Sequence, residues 1–98
     1  MRLDIDFEFE VGDIEQHRVA FHWGQLFGQV RITVDGIEVV AENKAISLKS
    51  NPVRTFAITV GESEPHAVVI EKERKRLLGG ARQQTCRAFV DGAIVGEY

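Results

Sequence analysis

The chain opens on strict alternation. Leu3, Ile5, Phe7, Phe9 and Val11 fall at odd positions, and Asp4, Asp6, Glu8 and Glu10 fall between them. Side chains alternate across a strand, so this period of two predicts a β-strand with one buried and one wet face. The same pattern returns from about Gln16 to Trp23, with Val19, Phe21 and Trp23 directed inward, and from Gln29 to Val34. Further strands are expected around Ala45–Lys49, Arg54–Val60, His66–Lys72, Gln83–Val90 and Ala93–Tyr98. Val68, Val69 and Ile70 run together, which suggests burial on both faces of that strand.

Turn residues punctuate the pattern. "VDG" occurs twice, at Val34-Asp35-Gly36 and at Val90-Asp91-Gly92. Asp-Gly between alternating segments is a strong signal for a two-residue hairpin, because both central residues of a type I′ turn need positive φ. Turn chemistry therefore accounts for both aspartates without a duplicated carboxylate site. "EKERKRLLGGAR", from Glu71 to Arg82, has some helical charge spacing but is short and ends in glycines, and it reads as a long hairpin tip. No segment requires a helix. The expected fold is all-β: an antiparallel β-sandwich of about eight short strands joined by hairpins, with residues 1–98 as a single domain.

Two stretches share an order: His, apolar strand, Gly-containing loop, strand, Asp-Gly, strand. They start at His17 and His66. The spacing from His to Asp-Gly differs by seven residues, so they are similar meanders and not a sequence repeat.

Composition narrows the functional classes. Net charge is −3 over 98 residues, which disfavours a general nucleic-acid binder. One cysteine, Cys86, allows no internal disulfide, and no apolar leader segment or membrane-length run is seen. A cytoplasmic location with no membrane span is expected.

Candidate chemistry is sparse. His17 and His22 differ by an odd number on one strand and point to opposite faces, so they cannot share a metal. Cys86 lies within a strand near Arg82 and Arg87, and behaves more as a small buried apolar residue than as a nucleophile. Carboxylates two apart on a strand, as in Asp4 to Glu10, stand about 6.6–7 Å from one another, too far to share an ion closely. They read as a solvated face, with like charges that discourage edge pairing if the strand is at an edge. No catalytic residue, metal site or cofactor is expected.

Charge is unevenly placed. Met1 to Glu15 holds six acids against Arg2, a net of −5. Glu71 to Arg87 holds six cations against Glu71 and Glu73, a net of +4. The binding candidates are therefore Arg74, Lys75, Arg76 and Arg82, with Leu77 and Leu78 at the tip. Leu26 and Phe27, in the Gly-bounded loop after Trp23, add a second apolar candidate.

The order of elements resembles the β-sandwich domain of the Fas apoptotic inhibitory molecule family over about Gln16 to Tyr98. Gly24 and Gly28, Val34-Asp35-Gly36, Val60-Gly61 and Val90-Asp91-Gly92 carry the likeness. The resemblance implies a β-sandwich and a regulator that acts by protein contact. It transfers no catalytic residues. That family has two such domains where this chain has room for one.

The function expected is a non-catalytic protein-interaction module, with an unknown protein partner or a homodimer through a sheet edge. The alternative is a β-domain that binds an anionic small molecule or lipid headgroup through the basic hairpin around residues 72–82.

Overall fold

The computed structural model describes residues 4–24, 28–48, 51–76 and 82–98. Nine strands form among them: β1 (Ile5–Val11), β2 (His17–Trp23), β3 (Val30–Val34), β4 (Ile37–Val39), β5 (Glu42–Leu48), β6 (Asn51–Val60), β7 (His66–Arg76), β8 (Arg82–Val90) and β9 (Ala93–Glu97). They make a four-stranded sheet, β1-β2-β3-β4, and a five-stranded sheet, β5-β6-β7-β8-β9. The all-β antiparallel class is borne out, with nine strands where the alternation predicts about eight. Among the described residues no helix is long and apolar enough to cross a membrane.

The chain divides into two compact units, Met1–Ala41 with Thr59–His66, and Glu42–Ile58 with Ala67–Tyr98. In the first, register aligns Phe7 with Phe21 and Phe21 with Ile32. Phe7, Val11, Val19, Phe21, Trp23 and Ile32 are buried. The Phe7 and Phe21 rings stack with centroids 5.0 Å apart. Burial of side chains of this size stabilises by about 1.5–3 kcal/mol each. In the second unit Phe56, Val68, Ile70, Cys86 and Ala88 are buried, and Ile70 pairs with Ala88.

Three boundaries differ from the sequence expectation, the first being β5, which begins at Glu42 and not near Ala45. β7 continues past Lys72 to Arg76, and its charges alternate instead of tracing a helical turn. Glu71, Lys72, Glu73 and Arg74 pair in order with Arg87, Cys86, Thr85 and Gln84. Ladder hydrogen bonds to β8 outweigh the weak local helical preference of a short charged run. The strand expected at Arg54 begins at Asn51, because Leu48 pairs with Asn51 and Ser47 with Pro52.

Both Asp-Gly turns are of the expected kind. Asp35 and Gly36 have φ of 53° and 82°, and Asp91 and Gly92 have 51° and 84°. Each aspartate does a second job. The Asp35 amide donates to the Arg18 carbonyl, and Asp35 Oδ1 accepts from the Arg18 amide, both at 2.8 Å. Asp91 makes the same two bonds with Ala67, also at 2.8 Å. The likeness between the meanders therefore extends to hydrogen bonds, and it begins one strand earlier than His17 and His66. "VGDIEQH" at Val11–His17 matches "VGESEPH" at Val60–His66, with Val, Gly, Glu and His in step.

Candidate functional site

The matched turns interlock. The Glu64 carboxylate accepts hydrogen bonds from the amides of Asp13 (2.8 Å) and Ile14 (2.9 Å). The Glu15 carboxylate accepts in return from Glu62 (2.9 Å) and Ser63 (2.8 Å). Each glutamate thus satisfies donors that the other turn leaves open. Gly12 and Gly61 make this geometry accessible. Their φ values are 102° and 100°, and a Cβ would come within 2.0 Å of the Glu15 carbonyl oxygen and 2.3 Å of the Glu64 carbonyl oxygen respectively.

Histidines complete the clasp. His17 donates from Nδ1 to Asp35 Oδ2 at 2.6 Å, and its Nε2 meets Glu15 Oε2. A neutral imidazole donates from only one nitrogen, so two carboxylate partners select the imidazolium. The bonds to Asp35 and Glu15 accordingly raise the pKa of His17. His66 Nε2 meets Glu64 Oε2 in the matching position. Glu15 is held at about 2, first by His17 and then by the Glu62 and Ser63 amides. Glu64 is also held at about 2, by His66 and then by the Ile14 and Asp13 amides. Sequence reading placed no role on Glu15 or Glu64. Comparing the chain with itself at an offset of 49 residues aligns Gly12 with Gly61 and Glu15 with Glu64, and would have found them.

His22 is separate from this cluster. It bonds Asp6 on the outer face of the first sheet. Among the described residues, no group of three His, Cys, Asp or Glu side chains is placed to hold a metal ion.

Cys86 is fully buried and free. Burial pushes its thiol up to about 11, against the smaller pull of Lys72 and Arg87. At neutral pH it is a thiol and a poor nucleophile. Directly across from it, Lys72 is only 8% exposed, and its Nζ donates to Gln84 Oε1 at 2.7 Å. Burial, and secondarily the nearby Arg54 charge, hold Lys72 below the ordinary lysine value. On the other face, Arg87 reaches Glu73 at 3.1 Å, Glu97 at 3.3 Å and Glu71 at 3.7 Å.

Of the sequence candidates, Arg74 lies on β7 opposite Gln84, two residues beyond Lys72. Lys75 and Arg76 end β7 and Arg82 begins β8, with Arg76 opposite Arg82. Leu26, Phe27, Leu77 and Leu78 lie outside the described residues.

The outer face of the first sheet holds open space. A depression of about 400 Å³ is lined by Asp6, Glu8, Ala20, His22, Arg31 and Thr33, together with Phe7 and Phe21. Around it, Arg18 meets Glu10 at 3.6 Å and Arg31 meets Glu38 at 3.9 Å. Exposed pairs of this kind contribute little to stability, about 0–1 kcal/mol.

No known family, curated protein or solved structure matches the chain.

Proposed function

We propose that this chain is a non-catalytic protein-interaction module, and that its edge strand β9 pairs with β9 of a second copy. The observation that carries the reading is the character of that edge. Among the described residues β9 has β8 on one side only, and its Ile94 and Val95 are 56% and 48% exposed. Natural edges are commonly protected by charge, as β1 is by Asp6, Glu8 and Glu10. An apolar edge with open backbone groups suits strand addition, which combines main-chain hydrogen bonds with side-chain contacts. The clasp histidines and Cys86 have structural occupations, which favours contact over catalysis.

Sedimentation equilibrium tests it. A mass near twice 11.0 kDa is expected, falling to one chain in Val95→Pro. A monomer at millimolar concentration, with rapid amide exchange along β9, overturns the dimer.

A second reading is anion binding at the basic hairpin. It is favoured by the placement of Arg76 directly opposite Arg82. Two arginines at paired register positions concentrate positive charge at this end of the hairpin, which an anion would complement. Titration with inorganic phosphate and with phosphatidylserine vesicles separates a free anion from a lipid headgroup. Binding should weaken with salt and be lost when Arg74→Ala and Arg76→Ala are combined. Binding unchanged by both excludes this reading.

A further inference from the structure

The outer face of the first sheet is a ladder of acid–base rows with one base absent. Along β2 the outward positions are Arg18, Ala20 and His22. Register sets them opposite Glu10, Glu8 and Asp6 of β1. Arg18 reaches Glu10, and His22 bonds Asp6. Ala20 offers Glu8 only a methyl group. On its other side Ala20 faces Thr33 of β3. Among the described residues Glu8 has no ion-pair or hydrogen-bond partner. The depression of about 400 Å³ lies at this same row. A second depression, which also includes Glu8, Ala20 and Thr33, continues toward Glu10, Arg18 and Asp35.

We propose that this notch receives one arginine side chain from an extended segment of a partner protein, its guanidinium lying over Ala20 against the Glu8 carboxylate. Three features choose the occupant. Glu8 is the carboxylate of its row left without a cation, so the charge required is positive. The floor is a methyl group, on which a flat, weakly hydrated guanidinium packs better than a strongly hydrated ammonium. The planar fork matches a carboxylate with two parallel N–H···O bonds and leaves further N–H groups for the Thr33 hydroxyl. The flanks narrow the sequence of the segment. Arg18 and Arg31 border the notch, and neighbouring rows on a strand stand only about 6.6–7 Å away. They disfavour a run of cations, so a single arginine between uncharged residues fits where a polybasic tract does not. The site is on a sheet face and is independent of pairing at β9.

The probe is acetyl-Gly-Arg-Gly-amide, followed by two-dimensional amide NMR on the intact chain. Saturable shifts centred on Glu8, Ala20 and Thr33 are expected. The same peptide with citrulline should bind a few-fold more weakly, as should the arginine peptide with Glu8→Gln, since an exposed charge pair is lost in each. Ala20→Arg supplies the absent base from within. It should displace the peptide. Shifts spread equally over Asp13, Glu62 and Glu97 and unchanged in Glu8→Gln would overturn the proposal, as would no shift at millimolar peptide. Glu8 is exposed, so its replacement by Gln leaves the fold intact as a control.

Discussion

The first meander, β1 to β4, and the second, β6 to β9, agree at their turns and disagree on their faces. Gly12 and Gly61, Glu15 and Glu64, and Asp35 and Asp91 occupy matching places with matching backbone bonds, and His17 and His66 each meet the glutamate two residues before them. Between those points the chains part. The first meander buries Trp23 opposite Val30, whereas the second buries Lys72 opposite Cys86. The outward row Glu8, Ala20, Thr33 sets two polar residues about an alanine, whereas Val69, Phe89 and Ile94 form an apolar row in the second. A turn with positive φ and fixed donors admits few residues, whereas a strand face accepts whatever its neighbours and solvent allow. Likeness therefore persists where the backbone is over-determined, and difference collects where a partner would bind.

The sharpest test of the difference is Trp23 against Lys72. Trp23→Ala should cost about 3–5 kcal/mol in denaturant unfolding, through the cavity it leaves. The likeness predicts that Gly12→Ala and Gly61→Ala are alike, each losing on the order of 3 kcal/mol from strain and collision with a carbonyl oxygen. Gly36→Ala and Gly92→Ala should cost only about 1 kcal/mol each, because nothing lies near their missing Cβ. Unequal losses within either pair would break the comparison.

The clasp sets a pH dependence. Glu15 and Glu64 fall from the ordinary 4.5 to about 2 on folding, so their contribution is present above 4.5 and is lost as pH drops toward 2. His17 is raised from 6.5, so its contribution is full below 6.5 and is lost as pH rises through its folded value. Both act together between about pH 4.5 and 6.5. Melting curves of the doubly substituted Glu15→Gln, Glu64→Gln chain should show a flatter acid limb than the wild type. His17→Gln should lower the melting temperature most within that window and little at high pH. A deficit independent of pH would remove the imidazolium from the account.

The smallest effect is expected at Lys72. Replacing a buried cation by an apolar side chain of similar length also removes its desolvation cost, so Lys72→Met should change stability by less than about 1 kcal/mol, in either direction. A loss near that of Trp23→Ala would show that the second meander depends on its buried lysine as the first does on its indole.

Much of the fold was legible along the chain. Alternation located β1, β2, β3 and β8, and Asp-Gly placed both tight hairpins, because period and turn conformation are local properties. The length of β7 was not legible. Its charged end resembles a helical turn until β8 pairs with it. The site was less legible still. Glu15 and Glu64 look like ordinary loop acids, and their value comes from amides 47 to 51 residues away. The absence of a base at Ala20 is visible only when β1 and β2 are set in register.

What the sequence determined by itself was the all-β class, the inward and outward positions and the two Asp-Gly corners. Each follows from steric rules acting over a few residues. Only the tertiary structure decided that two glycine turns exchange carboxylates, that Cys86 is silenced opposite a buried lysine, and that Glu8 stands without a cation among the described residues. Those outcomes depend on which distant groups desolvate or bond one another, and no local rule specifies that.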